Sequence, residues 1–354
     1  MRNGTGKRRS SVSFVFMLLL LGAAQTGLAL HQKEPVLAFV PNAADGTVSA
    51  IDLKTNEPAW TLTVSQPTQQ NKQEAAHGIA VSPDGRYLYA GDAAADQLVV
   101  VDTESRQVLS RISIEHAVHG IDISPDGRYV WVGGGLPGIP WLSAVSVVNT
   151  NSRRVEAVIS PGVGDASHFA ITPDGREVWI ASVTTNLLWI IDVEKRSLSD
   201  VVPLSAAAIL TPGSPEGEKG LIGLNEVAIS PDGRFAYAVG PEASIVYAVE
   251  VSTRRLAATA RVAERAHGIT VSPDGREVWV AHRSGSLTIL DAGDLQTLAT
   301  IPMGEYANHV AFSPGGRLAY VSRQGDIAVV STKERKLLKT ITVGREPHEI
   351  SLED

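Results

Sequence analysis

HGITVSPDGREVWVAHRSG, residues His267 to Gly285, decides the fold, because most of the chain is built from copies of it. Close copies are HGIAVSPDGRYLYAGD from His77 and HGIDISPDGRYVWVGG from His119. Looser ones are SHFAITPDGREVWIAS from Ser167, NEVAISPDGRFAYAVG from Asn225 and NHVAFSPGGRLAYVSR from Asn308. Within the phrase, Ile269 and Val271 alternate with smaller residues, the period-two signature of a strand. Ser272-Pro273-Asp274-Gly275 then reads as a turn. Proline presets φ at the first central position, aspartate can hydrogen-bond its own backbone, and glycine tolerates a left-handed exit. Glu277 to Val280 starts a second strand. A third ends in a polar or acidic residue, as in Val99 to Asp102, Ile190 to Asp192 and Thr288 to Asp291, and a fourth, such as Gln107 to Ile114, closes the unit. Each unit is expected to be a four-stranded antiparallel meander, strands A to D.

The turn serines and threonines stand at 82, 124, 172, 230, 272 and 313, spaced 42, 48, 58, 42 and 41 residues apart. Four-stranded units at periods near ~40 to 45 residues point to a β-propeller. The ends complete the count. Val36 to Val64 reads as strands B, C and D without an A, and Pro347 to Leu352 reads as an A strand with nothing after it. Joined, they make one more blade. The expectation is an all-β, seven-bladed propeller of four-stranded antiparallel blades, closed by the C-terminal strand beside the N-terminal three, which leaves no open edge between first and last blade.

The unit resembles the YVTN-type propeller repeat, whose phrase runs "GIAVSPDGxxLYVTN" and on through "VsVID". The resemblance covers essentially the whole chain after the leader. That family includes YncE-like periplasmic propellers and is related to the haem d1 propeller of cytochrome cd1 nitrite reductase. The resemblance implies the fold strongly and an activity weakly. A WD40 assignment is disfavoured, since no strand C ends in Trp-Asp.

Residues 1–29 read as a signal peptide. Arg2, Lys7, Arg8 and Arg9 form a basic start, Val12 to Ala24 is a short apolar run, and Gly27-Leu28-Ala29 offers small residues for cleavage near Ala29. The run is short for a membrane span, so a periplasmic or secreted protein without an integral span is expected, with residues 30–354 forming the propeller. Arg8-Arg9 raises twin-arginine export, but Ser11 stands where that motif usually has an apolar residue. There is no cysteine, which excludes a lipoprotein anchor, disulfides and covalent c-type haem. Without the leader, 27 basic residues face 38 acidic ones, a net charge near −11. That balance argues against nucleic acid as a partner, although some YncE-like propellers bind DNA. A monomer is expected.

Following the meander, A–B and C–D turns share one face, while B–C and D–A loops share the other. The insertions fall on the second face: Gly133 to Leu142 (GGGLPGIPWL) with Trp141 on it, Ser65 to Ala76, and Val201 to Leu224. Irregular loops gathered on one face of a repetitive scaffold mark it as the working face.

Strand A opens onto the central channel at that face. Five residues before each turn the chain has His77, His119, Ser167, Asn225, His267, Asn308 and, in the last strand, His348. One position later stand Gly78, Gly120, His168, Glu226, Gly268, His309 and Glu349. Imidazoles and carboxylates converging there suit Zn, Cu, Ni or Fe, or an axial contact to a haem-type tetrapyrrole. The plainer reading is that a repeated histidine hydrogen-bonds the neighbouring blade's backbone. Because adjacent strand positions point to opposite sides, His77, His119, His267 and His348 are the expected ligating subset. His168, His309, Glu226 and Glu349 are the wider metal candidates, and Trp141 is a candidate cofactor contact. His116 and His282 are assigned to loops on the same face.

Other repeated residues read as structural. Asp52, Asp102, Asp192 and Asp291 precede a turn and suit Asx capping. Trp131, Trp179 and Trp279 share a strand-B position with Tyr89, Tyr237 and Tyr320 and suit blade packing. No GxSxG, P-loop, HExxH, GxGxxG or EF-hand pattern occurs. The leading reading is a non-enzymatic exported propeller that binds a protein partner or small ligand on the D–A face. The alternatives are a metal or haem d1-type protein using the channel histidines, and a lactonase-type hydrolase or lyase using His168 with Glu226 or His309 with Glu349.

Overall fold

The computed structural model describes residues 36–66, 75–204, 223–240, 244–304 and 306–353, together with Met1. The expected signal peptide and the centres of the Ser65 to Ala76 and Val201 to Leu224 segments lie outside these residues. Residues Pro35–Asp354 form one compact unit. Among the described residues every regular element is a strand, and no helix is long and apolar enough to cross a membrane.

The strands make seven four-stranded antiparallel sheets, which is the expected propeller. Six blades follow chain order. In the remaining one, blade 1, Ser351–Leu352 pairs with Leu37–Asn42 through Ala38↔Leu352 and Phe39↔Ser351, beside Thr47–Asp52 and Glu57–Thr63. A backbone bond from the His348 N–H to the Pro41 carbonyl, 3.0 Å, extends this seam.

The SPDG phrase behaves as its chemistry dictates. In the second blade the Gly85 N–H reaches the Ser82 carbonyl at 2.8 Å, and Gly85 takes a φ of 72°. Ser82 Oγ donates to Asp84 Oδ1 at 2.6 Å and accepts the Tyr87 N–H at 2.8 Å. Serine, aspartate and glycine thus each satisfy a different backbone demand of one turn. The strand-C aspartates cap their turns, as when Asp102 Oδ1 accepts the Ser105 N–H at 2.8 Å.

The core is not central but lies between blades. One cluster joins Phe39, Val48 and Ala50 of blade 1 to Ile79, Leu88 and Val99 of blade 2. Equivalent clusters follow around the ring, and one packs Ala38, Val40 and Ile51 against Tyr320, Ile327 and Val329, uniting blade 7 with blade 1. Trp131, Trp179, Trp279, Tyr237 and Tyr320 are fully buried in these seams.

Near the axis the A strands crowd. A Cβ added to Gly78 would lie 2.5 Å from the His119 carbonyl oxygen, and one on Gly268 would lie 2.5 Å from the Asn308 carbonyl oxygen. Gly120 is tighter still, against the Ser167 carbonyl. Glycine follows histidine in these three copies because the next blade's backbone occupies the space. Gly120→Ala is therefore expected to destabilise the fold by roughly 3 kcal/mol, the upper range for overpacking. Urea denaturation at neutral pH reads this, and an unshifted midpoint would contradict the crowding.

The turn aspartates also give the stability a pH dependence. Burial nudges the Asp126 carboxyl up, but the Ser124 hydroxyl and the Arg128 backbone N–H and guanidinium outweigh it and hold the pKa at about 2, against an ordinary 3.8. A carboxyl with a depressed folded-state pKa contributes stability above its unfolded pKa and loses it as pH falls through the folded one. Acid unfolding followed between pH 4 and 2 should be shallower in Asp126→Asn than in the parent protein; parallel curves would contradict the linkage.

Candidate metal centre in the channel

The histidine positions sit where the strand A ladder is irregular. In blades 2, 4 and 6 the register skips between Ala76 and Ile79, between Ala166 and Phe169, and between Ala266 and Ile269. Three steps on strand A there match two on strand B, a β-bulge that re-aims side chains. In blades 3, 7 and 1 the paired strand begins only after the histidine, at Ile121, Val310 and Ser351. Strict alternation therefore fails at both candidate positions. This corrects the expectation that His77, His119, His267 and His348 form a one-sided set.

Instead, histidines from both positions interleave in one cluster. Ring centroids are 3.9 Å apart for His77 and His348, 4.4 Å for His77 and His119, and 4.7 Å for His309 and His348. His168 and His309 are 4.9 Å apart, and His267 and His309 5.0 Å. Among the described residues, three sets of three side chains bring one donor atom each within 4.8 Å of one another: His77, His348 and Glu349; His168, Glu226 and His309; and His267, His309 and His348. His119 belongs to none of these and lies 3.6 Å from the Asp165 carboxylate through Nδ1.

The carboxylates pair crosswise. Glu349 Oε1 is 2.8 Å from His168 Nδ1, and its Oε2 accepts the Ile79 N–H at 3.0 Å. Glu226 Oε2 accepts the Ile269 N–H at 2.6 Å and lies 3.3 Å from His309 Nδ1. The shortest contacts thus run His168 to Glu349 and His309 to Glu226, while the sequence pair His168 and Glu226 still shares one donor set, since A strands starting near the axis bring non-adjacent blades within reach.

Some nitrogens are structural. His77 Nδ1 is 3.2 Å from the His119 carbonyl, which can only accept, so Nδ1 carries the proton and Nε2 keeps its lone pair. Arg283 Nη2 lies 2.9 Å from His267 Nε2; a guanidinium only donates, so that lone pair is used. Others make no hydrogen bond: Nε2 of His309, a side chain only 4% exposed, and Nδ1 of His348 are buried without one, and His309 Nδ1 has only the Glu226 carboxylate at 3.3 Å.

Burial, and then the charges of neighbouring imidazoles, drives His77 and His348 well below the ordinary 6.5. For His267 burial is followed by the Arg283 charge. Burial lowers His309 to about 4, against an opposing pull from Glu349. These imidazoles are neutral at pH 7, the form that binds metal. Burial raises Glu226 to about 7, opposed by His168 and the Ile269 N–H and reinforced by Glu349. Asp122 also rises to about 7, through burial and then the Glu349 charge, against the Ile123 N–H.

Next to the cluster lies a cavity of about 300 Å³, walled by Ile79, Ile121, Val310 and Ile350 and edged by Asp122, His168, Glu226, His309 and Glu349. Sequence reasoning missed Asp122 and Arg283. Asp122 is the odd residue among copies that carry Ala80, Ala170, Ala228, Thr270, Ala311 and Ser351, and that departure was the available signal. GGGLPGIPWL is not a loop: Tyr129–Leu136 and Ile139–Asn149 continue strands B and C through it. Trp141 falls in the second of these strands, and its side chain lies outside the described residues. His282 ends a strand rather than lying in a loop, with Nε2 2.8 Å from Thr288 Oγ1, and His116 Nε2 bonds Ser146 Oγ at 2.8 Å. Neither belongs to the cluster.

The donor chemistry fits a transition-metal ion.

Comparison with known proteins agrees on architecture. A family model described as Lactonase, 7-bladed beta-propeller, matches residues 28–135. No curated protein matches the chain. A solved structure titled Kuenenia stuttgartiensis Hydrazine Synthase is similar with a TM-score of 0.67 and 20% identity, over 83% of this chain and 92% of that one. At that identity the likeness is one of fold. The chain is a β-propeller.

Proposed function

We propose that this propeller is exported and is a binding protein for a first-row transition-metal ion, held by imidazoles and carboxylates in the channel below the D–A face. What carries the reading is the convergence of buried and half-buried histidine and glutamate donors within 4.8 Å, with His309 Nε2 and His348 Nδ1 buried without a hydrogen bond. Buried polar atoms without partners are costly, and a metal satisfies them. The mixed imidazole and carboxylate set suits Zn or Fe(II) better than Mg or Ca, which favour oxygen ligands.

The surroundings support the same role. His77 Nδ1 bonding the His119 carbonyl, and His168 Nδ1 facing Glu349, orient imidazoles as outer-shell partners do in metal sites. The plainer structural role of the repeated histidine thus coexists with ligation, because one ring nitrogen serves each. A protein partner or small ligand arriving at the D–A face would meet the ion at the channel mouth.

The full chain, expressed for export and purified without a histidine tag, should retain at least one equivalent of zinc or another transition metal. The double variant His309→Ala/His348→Ala removes a ligand from all three sets and should weaken binding at least about 100-fold. Metal analysis and a visible spectrum on the same sample check this. Protein that stays metal-free after reconstitution with Zn, Cu and Fe, or that shows a Soret band instead, would overturn the reading.

A further inference from the structure

We infer that the channel holds two cations at once. This rests on the metal reading above and deepens it. Of the three donor sets, His77–His348–Glu349 and His168–Glu226–His309 share no residue, whereas His267–His309–His348 takes one ligand from each. Occupancy of the all-histidine set therefore excludes both others, and the channel has two states: one ion on three imidazoles, or two ions on two imidazoles and a carboxylate each.

Three observations select the second state. The Arg283 guanidinium donates to His267 Nε2 at 2.9 Å, and Arg283 Nε donates to Asn308 Oδ1 at 2.9 Å. The Arg283 charge reaches His309 and His348 as well, but only the all-histidine set has the guanidinium in direct contact with one of its imidazoles and that lone pair engaged, which opposes a cation there most. Each disjoint set instead carries its own carboxylate, and Asp122 adds a third at the cavity edge, so two dications meet three acidic groups. Finally, the disjoint sets are coupled: Glu349 of one lies 2.8 Å from His168 of the other, so ordering one set orients a ligand of its neighbour. The adjoining cavity of about 300 Å³ has room for several waters to complete both coordination shells, at about 30 Å³ each.

The test is a titration of the full chain with Zn(II), counted by native mass spectrometry and paralleled by calorimetry. The parent protein should take up two zinc ions. His77→Ala lies only in the first set and His168→Ala only in the second, so each should leave one ion, and the double variant none at the same concentration. Circular dichroism verifies that each variant is folded, and the parent stoichiometry stands without any variant. A single zinc in the parent, lost in His267→Ala but kept in both His77→Ala and His168→Ala, would overturn the two-ion arrangement while leaving the metal reading intact. Binding of no zinc would overturn the metal reading and this inference together.

Discussion

Seven A strands must start at one radius around a shared axis, and this crowding governs the rest of the molecule. A blade alone buries only part of its apolar surface; the cores here are seams, each drawn from two neighbouring blades. The ring is stable only if closed. That is why the chain's last strand joins its first three, as Ser351–Leu352 beside Leu37–Asn42. Blades that meet at the seams bring their inner strands close enough for one blade's carbonyl to exclude a Cβ on the next, as at Gly78 and Gly120.

The same closeness makes the channel chemically distinctive. Where glycine is absent, at His168, Glu226, His309 and Glu349, the side chains turn into the little space left and meet partners from non-adjacent blades. Packed imidazoles out of bulk water cannot all be charged, so burial and mutual repulsion keep them neutral. A neutral, buried histidine cluster with some nitrogens lacking a hydrogen bond is poorly compensated by protein alone, and the proposed cation would supply the missing partner.

The architecture was almost wholly legible in the sequence, because it is written six times. Each SPDG-type copy marks the turn between strands A and B, and the incomplete units at the two ends imply the closing blade. The site was legible by position but not by geometry. Period-two reasoning assigns His77 and His168 to opposite sides, yet a bulge of one residue at Ala76 to Ile79 and at Ala166 to Phe169 cancels that alternation. Bulges leave little trace in a single sequence. Nor does spacing along the chain reveal that Glu349 reaches His168 across the axis, or that Arg283 takes up His267. The GGGLPGIPWL stretch misled for the opposite reason: glycine and proline read as loop, but the hairpin simply extends through a turn at Gly138, which has a φ of 72°.

The central claim is that channel imidazoles and carboxylates hold a metal ion, and X-ray absorption at the zinc edge of the zinc-loaded protein tests it most directly. The account predicts a first shell of nitrogen and oxygen only, at about 2.0–2.1 Å, with the outer-shell scattering of two imidazoles per ion. An oxygen-only shell without imidazole scattering would place the metal elsewhere and contradict it.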